Sequence, residues 1–332
     1  MTWTDPGAFP VAPGVTRIPL PLPNDGLRAV NVYVLETPEG LVLVDGGWAI
    51  ASAREVLVSG LAELGAGVGD ISRFLVTHVH RDHYTMAVAL RRETGARVAL
   101  GRGEKPTLDL LQHGDRKALS AQVPELRRMG AIALADGIEK AVGGTVIDPS
   151  DWESPDEWLT EEPLPLPGGR VLETVPTPGH TAGHVVFHDL DAGLLFAGDH
   201  VLPTITPSIG FEPVLQDLPL AAFLRSLALV RSRPDARLLP AHGMVTDSVH
   251  ARVDQLVTHH ENRLQEVLGA GDGSPYDVAQ VLRWTRHGRT LDELDGFNQM
   301  LAVFETAAHL DLLVAQDRLV RDDDAGLTRY RT

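Results

Sequence analysis

Residues 73–83 read RFLVTHVHRDH, and this stretch determines the fold and the chemistry that the sequence predicts. Arg73 to Thr77 is a short apolar run typical of a strand, and three histidines and one carboxylate follow within six residues. Side chains two residues apart in an extended turn can converge on one ion, and the adjacent Asp82 and His83 can point to a second. The stretch therefore favours a metal site at a strand end over a turn of solvated histidines.

Further candidate ligands occur singly, downstream of that stretch. His180 lies in PGHTAGH (178–184), Asp199 in AGDH (197–200) and His242 in PAHG (240–243). Each has a glycine close by and an apolar strand near it, and glycine permits the sharp turns that bring ligands together. The chain has 14 histidines and no cysteine, so histidine and carboxylate must hold any metal.

Strands and helices alternate along the first third of the chain. Residues 31–36 and 41–45 are β-branched-rich runs around a Pro-Gly turn, and residues 51–64 and 87–94 have helical spacing. Alternation of this kind predicts layered α/β architecture.

Two later segments change to a helical pattern. Residues 104–142 predict a helical insertion, either a lid or substrate wall over the site or a surface excursion. Beyond Val253 the sequence predicts helices, including one from Phe297 to Ala315, and then a small hairpin within 319–330. Helices followed by a hairpin are typical of a winged-helix-like module. We therefore predict a catalytic domain over 1–255 and a C-terminal domain over 256–332.

The chain is acidic, because 29 basic and 45 acidic residues give a formal net charge of −16. Such a charge disfavours loose binding to phosphate backbones or anionic lipid. Residues 256–332 carry eight arginines and thirteen acids, 8 − 13 = −5, so the predicted module is not an evident nucleic-acid platform. No targeting segment and no apolar run of membrane-spanning length is recognised, so a cytoplasmic location is expected.

Taken together, the motifs resemble those of the metallo-β-lactamase superfamily over roughly residues 15–255. The resemblance implies an α/β (α+β) fold, an αββα sandwich with a dinuclear site at one edge of its sheets. It assigns His78, His80 and His180 to the first metal. It assigns Asp82, His83 and His242 to the second, with Asp199 bridging and Asp45 supporting the site.

This ligand set suits two Zn²⁺ ions, with Mn²⁺ or Fe as further options. Two ions sharing a water generate hydroxide at neutral pH, so hydrolysis is the expected reaction. A thioester, ester or lactone is the expected substrate, because the full ligand set resembles that of glyoxalase II type thioesterases and lactonases. Antibiotic-degrading β-lactamases generally lack the bridging aspartate and are exported.

Three residues are predicted to take part in catalysis. Asp82 does so as a metal ligand. Relatives usually read Asp-His-x-Gly-Gly where this chain has Asp82-His83-Tyr84-Thr85-Met86. Tyr84 is predicted either to enter the pocket and hydrogen-bond a substrate or leaving group, or to pack at a helix start. His200 is a candidate proton donor to the leaving group. His259 and His260 are expected on a helix surface.

The sequence leaves three alternatives open. The C-terminal segment looks like that of superfamily hydrolases whose relatives include endoribonucleases, so phosphodiester cleavage is the second choice. Redox chemistry at iron and a non-catalytic scaffold are the others, although a scaffold usually loses ligands. The expected partner is a small-molecule substrate rather than nucleic acid or a membrane, and a homodimer is left open.

Overall fold

The computed structural model describes residues 2–23, 26–113, 116–324 and 326–332. Residues 114 and 115 of the predicted insertion and residue 325 of the predicted hairpin lie outside the described residues. The first sheet has seven strands, in spatial order β1 (Phe9–Ala12), β2 (Val15–Pro21), β3 (Ala29–Thr37), β4 (Gly40–Val44), β5 (Ile71–Val76), β6 (Arg97–Gly101) and β7 (Glu157–Leu159). The second sheet contains β8 (Pro163–Pro165), β9 (Val171–Pro176), β10 (Val185–Asp189), β11 (Leu194–Gly198) and β12 (Arg237–Pro240), in the order β12-β11-β10-β9-β8.

Strand β3 is buried on both faces, which explains its nearly continuous apolar sequence. Successive side chains of a strand point to opposite faces. Val30, Val32 and Val34 therefore pack towards the outer helices, whereas Tyr33 and Leu35 pack between the two sheets. The apolar alternation thus builds two cores from one strand.

The helices cover the outer faces of both sheets. On the first sheet lie α1 (Ala51–Glu63) and α2 (Arg81–Thr94). The predicted insertion forms α3 (Lys105–Leu111), α4 (Gln122–Arg128) and α5 (Ile132–Val142). The second sheet shares one apolar cluster with α6 (Pro219–Ser232), α7 (Val249–Gly269), α8 (Pro275–Val281) and α9 (Gly296–Ala315), and within it α9 packs on α6, α7 and α8. The order helix, sheet, sheet, helix confirms the predicted α/β sandwich.

Helix α2 begins six residues before the predicted start at position 87. Its N-cap residue is His80, and Asp82 lies in the first turn, where a carboxylate is favoured by the positive end of the helix dipole. Part of the histidine motif is therefore helical rather than an extended turn. Gly95, at φ 79°, ends the helix in the left-handed conformation.

The C-terminal segment shares its core with the second sheet and with the insertion. Ala135 and Ile138 of α5 belong to the same apolar cluster as Met300 of α9. After α9, β13 (Val320–Asp324) and β14 (Leu327–Arg331) pair antiparallel, as the predicted hairpin requires. Helix α7 runs across the predicted 255/256 boundary, so the two-domain division and the winged-helix identity stay predictions. Among the described residues no helix combines the length and apolarity needed to cross a membrane.

Candidate metal centre

The predicted ligands meet where strands of both sheets end. Asp45 follows β4 and His78 follows β5, and these two strands are parallel. Asp199 follows β11 and His242 follows β12, and these are parallel as well. His180 lies in the turn between β9 and β10. Since parallel strands end at the same edge of a sheet, the topology gathers distant parts of the chain at one place.

The first cluster contains His78, His80 and His180. His80 Nδ1 lies 3.0 Å from His78 Nε2 and 3.1 Å from His180 Nε2. Ser208 O accepts a hydrogen bond from His180 Nδ1 at 2.8 Å, so the lone pair of that ring is on Nε2. Burial is the largest cause that lowers the pKa of all three rings, and that of His80 falls to about 3. All three are neutral at pH 7, which is the form that binds metal.

The second cluster contains Asp82, His83 and His242. Asp82 Oδ2 lies 3.5 Å from Nε2 of both histidines. Asp199 Oδ1 lies 3.7 Å from His83 Nε2 and 3.3 Å from His242 Nε2, whereas its Oδ2 lies 3.5 Å from Nε2 of His180 in the first cluster. Asp199 therefore presents one oxygen to each cluster. All seven predicted ligands converge, and their donor atoms fall into groups within 4.8 Å of one another.

Asp45 orients His83 of the second cluster by contacting the ring nitrogen that faces away from the other ligands. Its Oδ1 accepts hydrogen bonds from Thr77 N at 2.8 Å and Thr77 Oγ1 at 2.9 Å, and its Oδ2 lies 3.0 Å from His83 Nδ1. Burial opposes the charged form of His83, but Asp45, Asp82 and Asp199 favour it and raise its pKa to about 10. A cation that binds Nε2 would take the place of that proton.

We expect Asp45→Asn to weaken metal binding by roughly 10- to 100-fold. The asparagine amide would donate where the carboxylate accepts, so His83 would accept at Nδ1 and carry its proton on Nε2, which faces the cluster. Asparagine tolerates the φ of 62° at this position, so the fold should survive. Titration of the metal-free protein with Zn²⁺ measures the affinity. Asp70→Asn, at an exposed carboxylate before β5, is the control, and equal affinities in the two variants would contradict the role of Asp45.

His184 fixes the backbone at Asp199. Its Nε2 accepts a hydrogen bond from Asp199 N at 3.1 Å, and its Nδ1 lies 2.8 Å from Thr177 Oγ1. Gly198, at φ 50°, must lack a side chain, because a Cβ would lie 2.7 Å from His184 Nε2. The glycine before Asp199 in the sequence therefore reflects close contact with a buried imidazole.

Glu104 is a site residue that the sequence did not reveal. Its carboxylate is 0% exposed and accepts a hydrogen bond from Thr181 Oγ1, one residue after His180. Burial, followed by the nearby charge of Glu212, raises the pKa of Glu104. Glu104 thus holds the turn that carries His180. The only signal of Glu104 in the sequence is the pair Gly101 and Gly103 just before it. These glycines have no side chain and so leave room for the turn that carries His180.

Tyr84 does not fit the predicted role in the pocket. Its side chain is 0% exposed, its hydroxyl donates to Glu153 O at 2.6 Å, and its ring stacks on Trp152 with centroids 6.5 Å apart. Position 84 packs in the core between α2 and the loop after α5. The alternative interpretation, an aromatic residue packing near a helix start, agrees with this geometry.

His200 is buried behind Asp199. Its ring is 0% exposed and contacts the Phe223 ring edge-on at 5.0 Å between centroids. Burial lowers the pKa of His200 to about 3, so the ring is neutral at pH 7. A neutral, enclosed imidazole does not favour the predicted proton transfer to a leaving group.

The donor set fits a divalent metal. Nε2 of His83, Nε2 of His242 and Oδ1 of Asp199 are buried and have no hydrogen-bond partner among the described residues. Leaving such atoms unpaired costs about 1–3 kcal/mol each, whereas a cation at their centre satisfies them. Imidazole and carboxylate without thiolate suit divalent transition ions. Fold and site together therefore define a metal-dependent hydrolase of the αββα type.

The sequence comparison identifies the family. The sequence model of one protein family, the metallo-beta-lactamase superfamily, matches residues 25–242, so the chain belongs to that superfamily. The crystal structure of a metallo-beta-lactamase family protein from Thermus thermophilus is similar, with a TM-score of 0.79, 28% identity, and coverage of 96% of this chain and 98% of that one. The predictions of the superfamily and of a metal-dependent hydrolase are confirmed.

Curated relatives include several hydrolases. A probable metallo-hydrolase of Bacillus subtilis (strain 168) is 24% identical over 95% of this chain and 96% of its own length. A hydroxyacylglutathione hydrolase of Cereibacter sphaeroides (strain ATCC 17025 / ATH 2.4.3) is 33% identical, over 40% of this chain and 34% of the relative. An atrochrysone carboxyl ACP thioesterase of Aspergillus fumigatus is 27% identical, over 82% of this chain and 54% of the relative.

Proposed function

We propose that this chain is a dinuclear metal-dependent hydrolase that cleaves a small carbonyl substrate, a thioester, ester or lactone. The first ion would be held by His78, His80 and His180. The second would be held by Asp82, His83 and His242, with Asp199 between them. Zn²⁺ is the expected metal at both positions, with Mn²⁺ or Fe as further options.

The position of Asp199 carries the proposal. One oxygen lies 3.5 Å from Nε2 of His180, and the other lies 3.3 Å from Nε2 of His242. A carboxylate placed between two sets of imidazoles can serve both at once. A single-ion site would need no such residue, because each set already has three donors.

Two divalent ions bound at this position would supply hydroxide at neutral pH and polarise a carbonyl oxygen. The protein keeps its own donors in the required state. Burial favours neutral rings in the first cluster, and Ser208 O and Ala29 O accept from Nδ1 of His180 and His242, the latter at 2.7 Å. Each of these contacts leaves Nε2 free to bind, and each fixes the direction of the ring.

The choice of a carbonyl substrate rests on the relatives and on charge. One relative is a thioesterase and another a hydroxyacylglutathione hydrolase, and both names describe cleavage next to a carbonyl carbon. The chain carries a formal net charge of −16. Such a charge disfavours binding of a phosphate backbone, so phosphodiester cleavage stays the second choice.

A substrate panel with metal analysis tests the proposal. The panel contains thioesters, lactones, aryl esters, β-lactams and bis-p-nitrophenyl phosphate. We expect turnover of a thioester, ester or lactone by protein that contains at least two zinc ions per chain. Turnover of the phosphodiester alone would establish the second choice. One iron per chain with no hydrolysis would contradict a dinuclear hydrolase and favour redox chemistry. The expected cytoplasmic location stays a prediction, and a homodimer stays open.

A further inference from the structure

A second group of histidines and a carboxylate lies between α7 and α9, away from the seven predicted ligands. It comprises His259 and His260 on α7, and Glu305 and His309 on α9. The expectation that both neighbouring histidines lie on a helix surface is wrong for His260, which is 0% exposed and packs against the Phe223 ring at 5.5 Å between centroids. We call His259, His260 and Glu305 the α7–α9 cluster.

The protons of the buried imidazoles can be placed from their partners. His309 Nδ1 lies 2.7 Å from the backbone oxygen of Glu305, which can only accept, so His309 carries its proton there. Burial lowers the pKa of His309 to about 4 and that of His260 to about 2, so both rings are neutral. His309 Nε2 then accepts from His260 Nδ1 at 3.2 Å. His260 Nε2 is left with a bare lone pair.

That lone pair is buried and has no hydrogen-bond partner among the described residues. An unsatisfied buried acceptor is costly, so a ligand is expected to bind to it. A proton does not satisfy this acceptor, because burial keeps the His260 ring neutral. The remaining candidates are a cation or a bound donor molecule, and the neighbouring side chains decide between them.

Glu305 and His259 favour a cation. One donor atom from each member of the cluster lies within 4.8 Å of the others. The Glu305 carboxylate makes no hydrogen bond to any described residue, and burial raises its pKa. The charge of Arg263 on α7 favours the ionised form of Glu305. Its guanidinium donates to Glu266 Oε2 at 2.9 Å and to Arg283 O at 3.0 Å, and no hydrogen bond joins it to Glu305 among the described residues.

We propose that His259, His260 and Glu305 bind one divalent transition-metal ion, such as Zn²⁺, at a site separate from the candidate metal centre. Two imidazoles and one carboxylate are a donor set that such ions prefer. Neighbouring residues on a helix point in different directions. The planes of the His259 and His260 rings are inclined at 78° to one another, so the two imidazoles would approach the ion from different directions. His259 is partly exposed, so one side of the site is open to solvent. The ion would join α7 to α9.

Zinc binding to the full-length, metal-free protein tests this site. Dialysis against Zn²⁺ followed by elemental analysis should give one zinc ion per chain fewer in Glu305→Gln than in the wild type. Hydrolysis by the variant should be unchanged, because Glu305 is not among the seven predicted ligands. Glu266→Gln removes an equal charge from an exposed position on α7, and this variant should bind as many zinc ions per chain as the wild type. Equal zinc contents in Glu305→Gln and the wild type would overturn the proposal.

His259→Gln decides the matter if Glu305→Gln fails to fold. This side chain is only partly buried, so its replacement should leave the core intact. We expect the corresponding zinc affinity to fall at least tenfold in a calorimetric titration. We also expect Zn²⁺ to raise the melting temperature less in this variant than in the wild type. An unchanged affinity and an unchanged rise would refute the site.

Discussion

Replacing Asp199 with alanine is expected to lower kcat/KM for the best substrate about 10³-fold or more, while the protein stays folded. In the proposed centre Asp199 would contribute to both ion positions, and ions in such sites supply several kcal/mol of transition-state stabilisation. The variant also leaves buried Nε2 atoms of His180 and His242 without the carboxylate they face. Steady-state kinetics with metal analysis measures the loss, and circular dichroism checks the fold.

Two further variants make this result interpretable. Asp199→Asn keeps the volume of the side chain and removes its charge, so a comparable loss would assign the effect to the carboxylate. Asp191→Ala removes an exposed acid from the turn between β10 and β11 and should have no effect. Full activity in Asp199→Ala would mean that the centre is assigned to the wrong residues. Loss of activity with no loss of bound metal would place the role of Asp199 in catalysis rather than in metal binding.

Gly183→Ala is expected to destabilise the protein by about 3 kcal/mol, at the upper end of overpacking costs. A Cβ at this position would overlap the backbone nitrogen of Glu104 and the carbonyl carbon of Gly103, neither of which belongs to a flexible side chain. The turn carrying His180 would have to move away from the turn after β6. We therefore expect a lower melting temperature together with weaker zinc binding, measured by thermal unfolding and by titration.

Gly137→Ala makes the same chemical change in open space. Position 137 lies inside α5, and a Cβ there meets nothing within 4 Å. Alanine should stabilise this helix by roughly 0.5–1 kcal/mol, because glycine is a poor helix former. A similar melting temperature for Gly183→Ala and the wild type would show that the two turns can separate at little cost.

The convergence of the seven predicted ligands was predictable because short-range spacing and strand ends bring them together. His78, His80, Asp82 and His83 lie within six residues, so local geometry alone holds them together. His180, Asp199 and His242 each stand beside a glycine next to an apolar run, and such turns are readable without knowledge of the whole fold. The layered α/β architecture followed from the alternation of strand and helix in the same way.

Other features depend on contacts that no local pattern contains. The direction of Tyr84 follows from the start of α2 at Arg81, because that start turns the tyrosine towards the loop after α5. The burial of His260 follows from the packing of α7 against α6 and α9. Glu104 acts through Thr181, which is 77 residues away in the chain. Charged and polar residues at such places look like surface residues until the partner segment is known.

Helix α7 has a practical consequence for anyone who recombines this protein with another. A junction between residues 255 and 256 would leave seven residues, 249–255, of a 21-residue helix on one side. A helical fragment of seven residues does not hold its structure in water. The cut would also expose apolar side chains, Val253 on one side and Leu256 on the other. Chimaeras that exchange the C-terminal segment should instead be joined in the turn at 270–273, where Gly271 has a φ of 88° and no helix is cut.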